Sequence, residues 1–177
     1  VRIDAAWALR RSLPGTGTAR KELDDYLLYN CDQPTGALQF GVFHLDRQQQ
    51  PGNLAKAISW MRKAVDWDPN SPYLHQSISI AYSNASRQKD AIDSLEKAHK
   101  LEPENVMYAY NLACVYSRAI EMINKDPKLP DRDNRLATCR KKALEQLEKA
   151  VKYGWRDKAW LNKDPDLKSV RGMPEFK

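Results

Sequence analysis

Small and apolar residues in the middle of the chain recur with a period of 34 residues. One set is matched 34 positions later by a second: Ala57, Met61, Ala64 and Pro69, then Ala91, Leu95, Ala98 and Pro103. Offsets of four and three place the apolar members of each set on one face of a helix. The proline ends that helix, because the residue before a proline is disfavoured in the helical region. The pattern predicts two equivalent amphipathic helices.

Another helix precedes each of these two and repeats with the same period. Each carries a large, a small and an aromatic residue: Ile78, Ser79 and Tyr82, then Leu112, Ala113 and Tyr116. A small residue lets two helices approach closely, and the aromatic ring fills the space beside it. This 34-residue helix–turn–helix unit resembles the tetratricopeptide repeat (TPR) over residues 34–153. The resemblance implies an all-α fold, a right-handed TPR superhelix (α-solenoid) of about three helix pairs.

The first and third repeats are longer than the second. The segment between Gly41 and Ala57 has four extra residues, so the first helix or the turn after it is one helical turn longer. The third repeat has an insertion of 18 residues near 125–142. Because it holds two prolines, we expect a loop over 125–134, followed by a helix that Asp131 or Asp133 caps.

The C-terminal segment, residues 154–177, does not continue the repeat. Gly154 is placed to end the last repeat helix, and Asp157 to cap a short helix. The apolar residues after it are spaced to cover the exposed face of the last repeat helix: Leu167, Val170, Met173 and Phe176. The final helix pair of an array has no neighbour, so it needs such a cover. We therefore expect C-terminal capping helices.

Residues 1–33 form a junction that lacks the alanines of the repeat. The sequence of Val1–Leu9 resembles the second helix of a HEAT-type repeat. An amphipathic helix is predicted to begin at Thr18 or Ala19. This order of helices before the repeats is similar to the tail of a bacterial family of multihaem cytochromes c, over residues 1–117. That resemblance implies a protein of the periplasm or cell exterior, with haem in a partner or an upstream region. Since the chain opens without Met, we interpret it as part of a longer protein.

In TPR proteins the first helix of each pair lines a concave groove. Carrying the groove positions over implies that eight residues face a partner: Gln39, Tyr73, Gln76, Ser77, Asn84, Tyr110, Asn111 and Arg118. Amides and tyrosines suit a protein or peptide, because they hydrogen-bond its backbone and cover its side chains. The alternative is that some of them only pack against neighbouring helices. Some TPR co-chaperones grip a terminal carboxylate with two lysines, two asparagines and an arginine. Here Leu38 and Val42 stand at two of those positions and only Asn111 matches an asparagine position, so we do not expect such a clamp.

Composition argues against several other functions. The net charge of +6 is spread over mixed signs, and no aromatic residue is interleaved with the seven basic residues between 125 and 142, so we do not expect nucleic-acid binding. No apolar run is long enough for a membrane span. The three cysteines lack the short spacings of zinc or covalent haem sites, so we expect no cofactor in this chain. The three histidines are scattered and no catalytic constellation can be placed, so we do not expect an enzyme.

Two functions therefore stay open at this point. The leading one is a non-enzymatic TPR scaffold that binds a protein or peptide through its concave face. The alternative is a helical accessory module of a bacterial cell-envelope electron-transfer assembly, which contacts a multihaem cytochrome or copies of itself and does not bind haem.

Overall fold

The structure is a computed structural model that describes residues 2–176, without the side chain of Arg2. All regular secondary structure in these residues is helical. Contacts divide the chain into two compact halves, an N-terminal half, Val1–Ala85, and a C-terminal half, Ser86–Lys177. Within the described residues, no helix combines the length and apolar character that crossing a bilayer requires.

The N-terminal half contains five helices: α1 (Arg2–Ala8), α2 (Thr18–Tyr29), α3 (Pro34–Leu45), α4 (Asn53–Trp67) and α5 (Pro72–Asn84). Both α3 and α5 begin with proline. Proline suits this position, because its fixed φ matches the helix and its missing N–H would have had no partner there. Helix α3 packs against α4 and α5, so α3 is the centre of this half.

The alanine positions of the repeat form the contact between α3 and α4. Ala57 and Ala64 are fully buried, and Met61 lies between them in sequence and is equally buried. A Cβ atom on Gly41 would lie 2.6 Å from Cγ of Met61 and 3.2 Å from the carbonyl oxygen of Ala57. The first repeat therefore uses glycine at the small position because the two helices cross there at close range.

Helices α1 and α2 add a second apolar cluster to this half. Its buried members are Ala6, Leu23, Leu27 and Phe43. The guanidinium groups of Arg20 and Arg47 lie over the ring of Phe43, at 4.5 and 4.0 Å from its centroid. The Arg20 contact attaches α2 to α3, whereas Arg47 directly follows α3 in the chain.

The C-terminal half contains four α-helices in the described residues: α6 (Gln88–Leu101), α7 (Val106–Lys125), α8 (Arg132–Lys152) and α9 (Lys158–Lys163). Two short 3-10 helices follow them, Pro165–Leu167 and Pro174–Phe176. Helix α7 packs against both α6 and α8. Ala91 and Ala98 of α6 are fully buried, as the repeat pattern predicts. The side chain of Asn105 caps α7, because its Oδ1 accepts a hydrogen bond from the backbone N–H of Met107 at 3.0 Å.

The insertion in the third repeat is mostly helical, which differs from the predicted loop over 125–134. Helix α7 continues to Lys125 and α8 begins at Arg132, so the loop is six residues long. Ile120 and Leu136 are buried in the added turns, which explains why both helices extend. Asp131 precedes α8 in the left-handed conformation, with a φ of 56°, and makes no side-chain cap hydrogen bond, so the predicted cap was wrong for Asp131.

Two predictions for the segment after α8 are confirmed: Gly154 ends that helix, and Asp157 caps a short helix. Gly154 has a φ of +118°, and the N–H of Trp155 donates to the carbonyl of Ala150 at 2.8 Å. This is the Schellman arrangement, which glycine favours because it has no Cβ. The Oδ1 of Asp157 accepts from the N–H of Trp160 at 2.8 Å and so caps α9.

A polar network joins the three long helices of the C-terminal half. The hydroxyl of Tyr116 on α7 donates to Glu96 on α6, and Nζ of Lys142 on α8 donates to both residues at 2.9 Å. Burial raises the pKa of Tyr116. Burial alone would raise the pKa of Glu96, but the hydrogen bonds from Tyr116 and Lys142 outweigh it and lower that pKa. Tyr116, the aromatic residue of the repeat, thus packs between the helices and also makes a charge-assisted hydrogen bond to Glu96.

Candidate functional site

Helix α5 presents one face on which two large hydrophobic side chains, Tyr73 and Ile80, are exposed among polar residues. The residues on it follow helical spacing: Tyr73, Gln76, Ser77, Ile80 and Asn84. Tyr73 is 59% exposed and Ile80 is 46% exposed, whereas Leu74 and Ile78 of the same helix are buried. Ser77 donates its hydroxyl to the carbonyl of Tyr73 at 2.8 Å, so that hydroxyl is used inside the helix. A tyrosine and an isoleucine are thus left available for contact on α5.

A cleft of about 470 Å³ lies beside this face, at the end of α1 and the beginnings of α3 and α5. Leu38, Val42 and Leu74 supply its apolar lining, and Trp7 and Tyr73 supply aromatic rings. Its polar lining residues are Arg10, Thr35, Gln39, Asp68 and Ser71. The volume falls in the range of about 300–1,000 Å³ that is typical of ligand pockets. Two of the eight predicted groove residues, Gln39 and Tyr73, therefore line one cleft.

Two arginines share a single carboxylate at this cleft. Nε of Arg10 lies 2.6 Å from Oδ2 of Asp46, and Nε of Arg11 lies 2.8 Å from Oδ1 of the same residue. The guanidinium of Arg10 also lies over the indole of Trp7, 4.3 Å from the ring centroid. One carboxylate balances only one guanidinium, so the group of Arg10, Arg11 and Asp46 carries an excess positive charge next to the cleft, which Arg10 lines.

Arg47 adds a buried cation behind this pair. Its guanidinium donates to the main-chain carbonyls of Phe43, at 3.2 Å, and of Arg10. Burial lowers the pKa of Arg47. Since it joins α3 to the end of α1, Arg47 fixes the position of Arg10 at the cleft.

The corresponding face of α7 is not free, because the C-terminal segment covers it. Tyr110 is only 4% exposed and donates its hydroxyl to Oδ2 of Asp164. The indole of Trp155 stacks on the Tyr110 ring, with centroids 4.0 Å apart and an interplanar angle of 1°. Burial and the hydrogen bond to Asp164 raise the pKa of Tyr110. The prediction that Tyr110 faces a partner was therefore wrong, since the chain itself occupies that position.

Arg118, another predicted groove residue, also contacts the C-terminal segment. Its Nη1 lies 3.7 Å from Oδ1 of Asp166. Asn111, on the same helix, is half-buried. The short 3-10 helix Pro165–Leu167 packs against α7, and Leu167 and Val170 are fully buried. The predicted cover thus exists, but this part of it lies on the first helix of the third pair rather than on the last repeat helix.

The same contact brings together a thiol and two carboxylates. The ligand atoms of Cys114, Asp164 and Asp166 lie within 4.8 Å of one another. Asp164 accepts from Tyr110, and Asp166 pairs with Arg118, so both carboxylates already take part in the intramolecular contact. Burial raises the pKa of Cys114, which keeps it a thiol near neutral pH. The cluster is part of the packing of the C-terminal segment against α7.

Several basic residues of the insertion have partners within the C-terminal half. Arg132 donates to Oδ1 of Asn124 at 3.2 Å, and Lys141 lies 3.8 Å from Glu145. Lys142 belongs to the network with Glu96 and Tyr116. These pairings favour an ordinary solvated helix surface over a phosphate-binding patch.

Trp7, Arg10 and Arg11 were not predicted as binding residues, because the sequence assigns residues 1–33 to a junction before the repeats. The signal available for them was the cluster of an aromatic and two cations immediately before Pro14. Asp164 was also missed as an occupant of the α7 face, because it lies 54 residues from Tyr110 in the chain.

No known family profile matches the chain, and no curated protein matches it. Among solved structures it is similar to the human IFIT1 dimer with m7Gppp-AAAA, with a TM-score of 0.66 and 16% identity over 96% of this chain. The match covers 37% of the IFIT1 chain, so this chain spans little more than a third of that protein. It is also similar to MamA of AMB-1, with a TM-score of 0.57 and 20% identity over 90% of this chain and 76% of that one.

IFIT1 and MamA are both TPR proteins. The chain therefore has the TPR fold, and the predicted all-α solenoid class is confirmed. At these identities the likeness concerns the fold alone. The resemblance of the N-terminal part to multihaem cytochromes is not addressed by these structures and stays a prediction.

Proposed function

We propose that the chain is a non-enzymatic docking module, and that the exposed face of α5 together with the adjoining cleft binds a protein or peptide. The observation that carries this proposal is the exposure of Tyr73 and Ile80 beside a cleft of about 470 Å³. In TPR arrays the first helices of the pairs line the inner, concave surface, where ligands bind. Exposed tyrosines supply large contact area at low entropic cost and are enriched among the residues that dominate binding energy.

The contrast between α5 and α7 supports this choice of surface. Tyr110 and Arg118 on α7 are engaged by Trp155, Asp164 and Asp166 of the same chain. On α5 the chemistry at this face is an exposed aromatic ring, an aliphatic side chain and half-buried amides. These groups suit an extended or helical peptide, whose backbone the amides hydrogen-bond and whose side chains the rings cover.

The proposal is tested with peptides selected from a random phage-displayed library against the full chain. The affinity of a selected peptide is then measured by fluorescence anisotropy for the wild type, Tyr73→Ala and Met107→Ala. Met107 is the matched control, because it lies 34 residues after Tyr73 at the same repeat position and is also exposed. We expect Tyr73→Ala to weaken binding at least about tenfold and Met107→Ala to change it less than about twofold.

Equal effects of the two variants, or failure to select any peptide, would show that α5 is not the binding face. The IFIT1 structure contains the capped oligonucleotide m7Gppp-AAAA. The same oligonucleotide is therefore measured in parallel. If it binds tightly, with an affinity that falls steeply with salt, nucleic acid replaces peptide as the ligand.

A further inference from the structure

We infer that the cleft at the end of α1 selects a peptide in which a large aromatic side chain is followed by an acidic one. This inference rests on the proposed function and adds the chemistry of the partner. It also places part of the recognition outside the TPR helices, on α1 and the residues that follow it.

The cavity suits a large apolar side chain. Its lining combines Leu38, Val42 and Leu74 with the rings of Trp7 and Tyr73. A volume of about 470 Å³ accommodates one such side chain together with its neighbour in the peptide. Trp7 is already held by the guanidinium of Arg10 over its ring, so the wall of the cleft is organised before a ligand arrives.

The charge at the cleft selects the residue beside that side chain. Arg10 and Arg11 share the one carboxylate of Asp46, and Arg47 lies directly behind them. Arg10 lines the cleft, and Arg11 lies next to it through their shared contact with Asp46. Arg11 is the accessible member of the pair, with 76% of its side chain exposed. Asp68 lines the cleft on the side of the α4–α5 turn. An acidic side chain is therefore attracted to the arginine end and repelled from the Asp68 end, which also sets the direction of the peptide.

The C-terminal half contains the same two kinds of contact, although residues eleven positions apart in the chain make them. There the chain itself presents Trp155 and Asp166 to a first helix, where the indole stacks on Tyr110 and the carboxylate pairs with Arg118 at 3.7 Å. An aromatic ring against a ring and a carboxylate against a guanidinium are thus a chemistry that the chain already uses to hold a segment on this kind of surface.

The test uses short fluorescein-labelled peptides with a central Trp-Asp, Trp-Asn, Trp-Lys or Ala-Asp pair in a Gly-Ser background. Their C-termini are amidated, so no terminal carboxylate contributes. Anisotropy with the wild type is expected to rank Trp-Asp first, with Trp-Asn weaker by about two- to fivefold and Ala-Asp weaker by about tenfold. Trp-Lys is expected to bind less well than Trp-Asn.

The decisive variant is Arg11→Gln, which is exposed and leaves Arg10 on Asp46. Arg62→Gln on α4 is the matched control, because it removes the same charge from another exposed position of this half. Arg11→Gln should abolish the difference between Trp-Asp and Trp-Asn, and Arg62→Gln should preserve it. If both peptides bind equally to the wild type while Tyr73→Ala still weakens them, the inference is overturned and the proposed function stands. If no peptide of this set or of the library binds, the proposed function fails as well.

Discussion

The repeat pattern places Tyr110 and Tyr73 on the same kind of surface, but the two tyrosines should differ in how much their hydroxyl groups contribute to stability. Replacing each by phenylalanine tests this difference. Each substitution removes only a hydroxyl group and keeps the ring. In the structure Tyr110 is buried under the C-terminal segment, and Tyr73 is largely exposed on α5. We therefore expect Tyr110→Phe to destabilise the protein and Tyr73→Phe to have little effect on stability.

The magnitude follows from the hydrogen bond that is lost. The hydroxyl of Tyr110 donates to the buried carboxylate of Asp164, and the ring stack on Trp155 is retained in the variant. A hydrogen bond to a charged group contributes about 1.5–3 kcal/mol, and its loss leaves a buried acceptor short of a donor. Asp164 still accepts from the N–H of Asp166 at 2.9 Å, so we expect a loss of about 2 kcal/mol in the free energy of unfolding. For Tyr73→Phe we expect a change within about 0.5 kcal/mol.

The assay is urea unfolding at neutral pH, followed by far-ultraviolet circular dichroism and by tryptophan fluorescence. A cycle with Asp164→Ala isolates the interaction, and the coupling with Tyr110→Phe is expected to be about 1–2 kcal/mol. A loss below about 0.5 kcal/mol for Tyr110→Phe, or equal losses for both tyrosines, would refute the intramolecular contact.

Two further predictions concern titration and packing. Because burial raises the pKa values of Tyr110 and Tyr116, absorbance at 295 nm near pH 11 should show fewer than the eight tyrosines of the folded chain ionised. The unfolded chain releases these protons first, so the contribution of both residues to stability is full below about pH 10 and declines above it; ionisation of all eight in the folded protein would contradict this. A Cβ atom on Gly36 would lie 1.7 Å from the carbonyl oxygen of Asn30, so Gly36→Ala should cost about 1–3 kcal/mol. Gly15→Ala, with nothing within 4 Å, should change stability by less than about 0.5 kcal/mol, and similar urea midpoints for the two variants would contradict the close approach.

The repeat pattern predicted the helix pairs because their contacts are local. Alanines at fixed helical offsets, such as Ala91 and Ala98, have only one buried face to occupy, and both are fully buried. The extension of α7 and α8 could be predicted in part from the sequence, since Ile120 and Leu136 continue the apolar spacing of the two helices into the insertion. Two prolines in the connecting segment outweighed that signal, although they lie only in a six-residue loop.

The occupation of the α7 face could not be read from periodicity. It depends on a contact between Tyr110 and Asp164, which are 54 residues apart, and on the stacking of Trp155. The groove positions of the TPR family define which side chains point inward, but they do not say whether the chain itself fills the space. The same limit applies to Arg10 and Arg11, whose role depends on their ion pairs with Asp46, which is 36 and 35 residues away in the chain.

Hydrogen exchange of the full chain, measured by mass spectrometry with and without a selected peptide, tests the central claim most directly. We expect peptide binding to slow exchange in α3 and α5, and to leave α7 and residues 155–171 as protected as they are in the free chain. Slower exchange confined to α7, or faster exchange of residues 155–171 when the peptide binds, would contradict it.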